Sequence, residues 1–170
     1  MEYNIFKSPV AIAKKLLEEN HIMCAPVDVE ALCRQQGIRV IYVNLDDIEK
    51  ITGKNISGAI QKHPTKGCTI LVNEKDIRTR ERFTIAHELG HYLLHMDDSE
   101  NKVITSFRMD QSPIETQANI FAAELLMPEE LVRREHANMV IPVSDSLAEI
   151  FDVSKQAMRV RLDSLELLYV

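Results

Sequence analysis

The chain lacks a surplus of positive charge. Its 170 residues include 20 Lys and Arg against 26 Asp and Glu, which gives a formal net charge of -6 at pH 7. An acidic protein has no general attraction for the phosphates of nucleic acids. The composition therefore argues against a dedicated DNA-binding or RNA-binding protein.

The chain also lacks the cysteine pattern of a disulfide framework. Its three cysteines, Cys24, Cys33 and Cys68, are irregularly spaced, and none belongs to a C-x-x-C pair. An odd number of scattered cysteines is typical of reduced thiols in a cytosolic protein. We interpret most of them as small buried apolar residues.

Long apolar runs are missing as well. No stretch approaches the roughly 18 uninterrupted apolar residues that a membrane-spanning helix needs. Charged residues interrupt the N-terminal segment, so it does not resemble a secretory signal. We therefore expect no association with membranes and a cytoplasmic location. Internal repeats and low-complexity segments are also absent.

The pattern of apolar residues predicts an α+β fold. Residues 38–43, 57–62 and 68–73 are rich in β-branched side chains and predict three strands. Acidic residues 97–100 predict a loop. Apolar spacing and proline positions predict helices over residues 8–20, 28–36, 78–95, 114–127, 144–151 and 154–167, with a shorter one beginning at Pro128. Strands in the middle of the chain, flanked by helices, indicate a small central sheet.

The length suits one compact domain with a short appendage. We divide the chain into a domain of residues 1–142 and a C-terminal helical extension of residues 143–170 that packs on it. Residues 147–162 of the extension resemble a helix-turn-helix, in which Lys155, Gln156, Arg159 and Arg161 would contact the DNA major groove. Against this, three basic residues face five acidic ones between residue 144 and the end. Because phosphate binding needs surplus cations, we interpret the segment as a structural helix pair or a docking surface.

The helix predicted over residues 78–95 contains the pattern H-E-x-x-H, formed by His87, Glu88 and His91. Side chains four positions apart lie on the same helix face, so both imidazoles can bind one ion. Zinc binds histidine nitrogen at about 2.0–2.1 Å and lowers the pKa of a bound water. Glu88 can accept the proton of that water as a general base. A chance match on an amphipathic helix is the alternative, but unpaired histidines would be costly among apolar neighbours such as Ile85 and Leu89.

A third ligand must come from elsewhere in the sequence. His95 lies on the same stripe, but eight helical residues rise about 12 Å, which is too far for a shared ion. We predict that His95 supports the site by hydrogen bonding or packs in the core. The metzincin pattern also fails, because Leu94 and Asp97 stand where it requires Gly and His.

Two carboxylates on the later helix are candidates for the third ligand. Glu115 and Glu124 are nine positions apart, so they point to opposite faces of the helix. Glu115 shares a flank with the small Ala118, which permits close approach, and Asn119 follows one turn later and could orient a ligand. However, Ser112 and Glu115 also match the S-x-x-E capping box, in which Glu115 would only cap the helix. The pattern favours Glu115 but leaves both roles open.

Three arginines, Arg78, Arg80 and Arg82, lie at the start of the motif helix. They could bind an acidic partner. Charged clusters at helix starts are more often solvated, and we favour that interpretation.

Two long segments resemble the ImmA/IrrE family of metallopeptidases. These segments read RFTIAHELGHYLLH over residues 82–95 and ETQANIFAAELLMP over residues 115–128. The short stretches at residues 26–28, 37–38 and 57–58 are similar to the family's N-terminal half. The resemblance implies a thermolysin-like catalytic core with the H-E-x-x-H pattern on its active-site helix. It also implies that His87, His91 and Glu115 bind zinc and that Glu88 is the catalytic base, because the family's third ligand opens the E-x-x-A segment.

The resemblance further implies a regulatory endopeptidase whose substrate is a partner protein such as a helix-turn-helix transcriptional repressor. The alternative is a zinc-bearing interaction protein of a repressor or toxin–antitoxin-like pair, without proteolysis. In thermolysin-like folds an edge strand of the sheet pairs with the extended substrate. Residues 57–62 or residues 68–73 would form that edge strand, and the alternative is that both strands serve only as scaffold.

Overall fold

The computed structural model describes residues 8–53, 56–63, 67–96, 104–107, 112–140 and 143–168. The described part has the predicted α+β architecture. In chain order its elements are α1 (Pro9–Glu19), α2 (Val29–Gln35), β1 (Ile38–Val43), α3 (Asp46–Thr52), β2 (Gly58–His63), β3 (Gly67–Asn73), α4 (Arg78–His95), β4 (Ile104–Phe107), α5 (Pro113–Leu126), α6 (Glu129–Asn138), α7 (Ser144–Phe151) and α8 (Lys155–Ser164). None of these helices is both long and apolar enough to cross a membrane. The loop predicted over residues 97–100 lies outside the described residues.

Serine caps and prolines set the beginnings of three helices. The hydroxyl groups of Ser8, Ser112 and Ser154 accept hydrogen bonds from backbone N–H groups in the first turns of α1, α5 and α8. Such caps satisfy donors that have no partner within the helix. Proline follows the cap in α1 and α5, where its missing N–H costs nothing.

The four strands form one mixed sheet in the order β1-β3-β2-β4. β1 is parallel to β3, whereas β2 is antiparallel to both β3 and β4. The prediction of the substrate-pairing edge strand is therefore wrong. Residues 57–62 and 68–73 form the interior strands β2 and β3, and the edges are β1 and β4. Neither β4 nor α3 was predicted from the sequence.

Helix α4 lies between the sheet and α5. Its Ile85, Ala86 and Leu89 belong to the main hydrophobic core, together with Ile60 and Ile70, which face each other across β2 and β3. The C-terminal helices α7 and α8 add four large side chains to the same core: Leu147, Phe151, Met158 and Leu162. The division of the chain between residues 142 and 143 stays a prediction.

Arg82 joins α4 to two other segments. Its Nε donates a hydrogen bond to the carbonyl of Asp152 (3.0 Å), and its Nη2 donates to the carbonyl of Val27 (2.9 Å). The expectation of a solvated helix start is thus wrong for Arg82, which is buried. It holds for Arg78, whose largely exposed side chain pairs with Asp152.

Gly90 permits the close approach of α4 and α5. A Cβ atom at this position would lie 2.9 Å from Cδ1 of Phe121 and 3.4 Å from the Cα of Ala118. Phe121 is fully buried, so its ring has little space into which it can move. The missing side chain of Gly90 therefore sets the distance between the two helices.

We expect Gly90→Val to separate α4 from α5 and to lower the free energy of unfolding by about 2 kcal/mol, because the added carbons overfill a packed contact. Urea denaturation measures the change. The control is Ala137→Val at an exposed position of α6, which should cost only about 0.5 kcal/mol through helix propensity. Equal stabilities of the two variants would contradict this account of Gly90.

Candidate metal centre

His87 and His91 lie one turn apart on α4 and face each other. Their Nε2 atoms are 3.0 Å apart, and their rings meet edge to face with centroids 4.6 Å apart. Both side chains are deeply buried, with 1% and 4% of their surface exposed. The helix thus directs two imidazole nitrogens toward one point.

Glu115 brings a carboxylate to the same point from the first turn of α5. Its Oε2 lies 3.0 Å from Nε2 of His87, and its Oε1 lies 3.0 Å from Nε2 of His91. The predicted capping interaction also forms in part, because the backbone N–H of Glu115 donates to the hydroxyl of Ser112 (3.3 Å). The helix cap is therefore supplied by the serine, while the glutamate side chain lies beside the histidines.

The donor set fits a metal ion. His87, His91 and Glu115 each offer one ligand atom, and these atoms lie within 4.8 Å of one another. An ion that binds tetrahedrally at about 2.0–2.1 Å would hold its ligand atoms about 3.3 Å apart, close to the separations present here. Two imidazoles and one carboxylate are a common donor set of catalytic zinc sites, which keep a fourth position open.

Asn119 lies one turn after Glu115 and contacts the outer side of His87. Its Oδ1 is 3.0 Å from Nδ1 of His87. When Nδ1 carries the proton and donates it to this oxygen, the lone pair of Nε2 points toward the other donors. The structure therefore places Asn119 where it can orient His87.

The remaining two predicted site residues also lie on α4. Glu88 is 2% exposed and directly follows His87 in the chain. The ring of His95 is half-buried, and its centroid is 5.7 Å from that of His91. His95 does not belong to the cluster of donor atoms formed by the described residues.

Glu124 has a different set of contacts. Its buried carboxylate forms an ion pair with Arg161 of α8, and its Oε1 accepts a hydrogen bond from the backbone N–H of Glu129 (3.3 Å). The same arginine donates through Nε to the carbonyl of Met127 (3.0 Å). Glu124 therefore fixes α8 against α5 and α6, on the side of α5 away from the histidines.

These contacts also affect the helix-turn-helix interpretation. Two of the four proposed DNA-contacting residues are used within the chain, because Arg161 pairs with Glu124 and Lys155 pairs with Asp145. Gln156 lines a groove between α8 and the helices of the metal centre. Lys155 and Arg159 are exposed on α8, whereas Arg161 is largely buried.

Sequence reasoning missed Phe83, which lies near the candidate centre. Its ring is tilted against that of His87, with centroids 6.3 Å apart. The signal was present, because residues four positions apart on a helix are neighbours. An aromatic residue on an apolar helix face by itself predicts only a core position, so the spacing does not single out Phe83.

Sequence comparisons relate the chain to known peptidases. A model of the peptidase family described as the IrrE N-terminal-like domain matches residues 33–163. Metallopeptidase ImmA of Bacillus subtilis strain 168 is 30% identical over 108 residues, which cover 61% of this chain and 63% of that protein. The radiation response metalloprotease IrrE of Deinococcus radiodurans is 38% identical over 85 residues, which cover 48% of this chain and 25% of that protein. The matched regions thus span less than two thirds of the length of either relative.

A solved structure shares the fold. The chain superposes on a Mycobacterium tuberculosis transcriptional regulator with a TM-score of 0.59 and 18% sequence identity, covering 91% of this chain and 46% of that one. At this identity the likeness concerns the fold alone. The family match, by contrast, contains both histidines and Glu115 and spans most of the chain. The predicted resemblance is confirmed, and the chain belongs to the IrrE N-terminal-like domain family of peptidases.

Proposed function

We propose that this chain is a zinc-dependent endopeptidase that cleaves a partner protein and thereby acts as a regulator. One observation carries the proposal. In a chain of a peptidase family, the Nε2 atoms of two histidines lie 3.0 Å from each other and 3.0 Å from the carboxylate oxygens of a glutamate. His87, His91 and Glu115 would hold the ion. Asn119 would keep His87 in the tautomer that binds it.

The chain's own groups would carry the proton transfers. Zinc, when bound, supplies Lewis acidity that polarises a peptide carbonyl and lowers the pKa of water. The carboxylate of Glu88 would accept the proton of the attacking water and deliver it to the leaving nitrogen. Its burial supports this role, because a carboxylate shielded from bulk solvent acts in a medium of low dielectric.

We further propose a thermolysin-like core, in which an extended substrate adds to an edge of the sheet. The edges available for this pairing are β1 and β4. The substrate we propose is a helix-turn-helix transcriptional repressor in the cytoplasm. The proposal of a regulatory role is supported by the name of the Deinococcus radiodurans relative, which links a metalloprotease to a radiation response.

One observation favours a second candidate, a zinc-bearing interaction protein without proteolytic activity. The histidines are almost fully buried, as in sites where zinc serves only the fold. Structural zinc is usually closed by four protein ligands, however, and the described residues bring three together. We therefore prefer the catalytic function.

Glu88→Gln should abolish cleavage without removing zinc, because the amide cannot accept the proton while the ligands stay intact. General-base loss lowers rates by roughly a hundred- to ten-thousand-fold. The measurement compares protein N-termini in cells that express the wild type or the variant, with and without stress. Exposed Glu130→Gln on α6 is the control and should behave as wild type. Identical N-termini in all three strains, with zinc retained, would favour the non-proteolytic function.

Glu115→Gln and Glu124→Gln should affect different properties, the first zinc binding and the second stability. The first variant should bind zinc at least about tenfold more weakly, because an amide oxygen is a poorer ligand than a carboxylate. The second should keep zinc but lose about 3 kcal/mol of unfolding free energy, because Arg161 would stay buried without its anion. Competition with a chelating dye measures zinc affinity, and urea denaturation measures stability. Loss of zinc in Glu124→Gln alone would contradict the proposed ligand set.

Asn119→Ala should weaken zinc binding by roughly ten- to a hundred-fold, because Nδ1 of His87 would lose its oxygen acceptor. Asn119→Asp retains an acceptor at this position and should restore the affinity. Zinc titration of both purified variants tests the role. If Asn119→Asp bound zinc as poorly as Asn119→Ala, the orienting hydrogen bond would not explain the effect.

A further inference from the structure

Exposed apolar side chains gather in a groove bounded by α4, α5 and α8. The groove has a volume of about 820 Å³. Three of its lining residues are among the most exposed large apolar residues described, with exposures of 71% for Ile77, 64% for Val160 and 43% for Ile120. Exposed apolar side chains that share one groove offer a contact surface for a partner.

The groove adjoins the candidate metal centre. Asn119 and Phe83 line it, and both also contact His87, through the hydrogen bond of 3.0 Å and the ring contact. Thr116, the residue after Glu115, lies in its wall as well. At Asn119 and Phe83, a segment bound in the groove would therefore be separated from His87 by a single layer of side chains.

The charged residues that line the groove, among those described, are Arg80 and Arg161. Arg161 is neutralised by Glu124. Arg80 is 49% exposed; its Nε forms an ion pair with Asp76 Oδ2 (3.3 Å) and donates a hydrogen bond to Ser57 Oγ (2.7 Å). Its Nη groups are the ones that would bind a carboxylate from the groove side.

We propose that this groove binds an apolar segment of the substrate protein and that Arg80 binds an acidic residue at one end of that segment. The volume lies in the range of clefts that enclose several side chains. That the bound protein is a substrate rests on the endopeptidase function proposed above. The docking surface itself rests on the exposed apolar residues and on the half-exposed Arg80 in the lining of the groove.

Short synthetic peptides test the docking surface without any cleavage. Zinc-loaded Glu88→Gln protein is titrated into three fluorescein-labelled peptides, and fluorescence anisotropy reports binding. The first peptide alternates Leu with Glu, the second replaces Glu with Lys, and the third replaces Leu with Ser. We expect the first to bind about two- to fivefold more tightly than the second, as an exposed ion pair allows, and the third not to bind. Equal binding by all three, or by none, would overturn the proposal.

Variants locate the binding to the groove. Val160→Asp and Ile120→Asp should each weaken binding of the Leu-Glu peptide by roughly tenfold, because each removes apolar contact and repels the acidic residue. Arg80→Gln should remove the preference for Glu over Lys. The matched control is Ile51→Asp at an 85% exposed position of α3, which should change nothing. Unchanged binding to the groove variants would overturn the proposal.

The two proposals can fail separately. If peptide binding depends on the groove but no new N-termini depend on Glu88, the docking surface is supported and the proteolysis is wrong. If new N-termini depend on Glu88 but still appear in cells that express Val160→Asp or Ile120→Asp, the proteolysis is retained and the docking surface is wrong. If light scattering finds a dimer that Val160→Asp converts to a monomer, the occupant is a second copy of the chain, and the proposal is wrong.

Discussion

The contact between α4 and α5 is the interaction on which the candidate site depends. Two donors come from α4 and one from α5, and their separations of 3.0 Å leave little tolerance for a shift of one helix against the other. Gly90 sets this distance, because any side chain there would meet Phe121. The same glycine lies within the H-E-x-x-H segment, so one turn of helix supplies both the histidines and the space that admits their partner.

Helix α5 contacts the candidate site on one face and helix α8 on the opposite face. Glu115 and Asn119 lie beside His87, whereas Glu124 lies nine positions after Glu115 and pairs with Arg161 of α8. A buried ion pair is costly to break from one side and so holds α8 in one position. The C-terminal helices are thereby part of the support of α5, and Arg161 turns inward to provide that support.

Local patterns predicted the parts of the site that are local. The spacing of His87 and His91 follows from helix periodicity, and the two histidines meet as predicted. The choice between Glu115 and Glu124 could not be settled in that way, because it depends on which face of α5 meets α4. Sheet order is also non-local: β3 lies between β1 and β2, so an edge predicted from the sequence proved to be interior. β4, with only four residues, gave too short a pattern to be found.

The burial of the histidines bears on how such a site could choose its substrate. Side chains that are 1% and 4% exposed offer almost no surface for recognition, so the two histidines themselves could contribute little affinity for a substrate. Recognition would then have to come from a surface next to the centre that is itself accessible. The groove between α4, α5 and α8 meets this condition, because it is lined by exposed apolar side chains and because Asn119 and Phe83 in its wall contact His87. A protease of this design would cleave few proteins, since a substrate would need both a docking segment and a scissile bond at the correct distance from it.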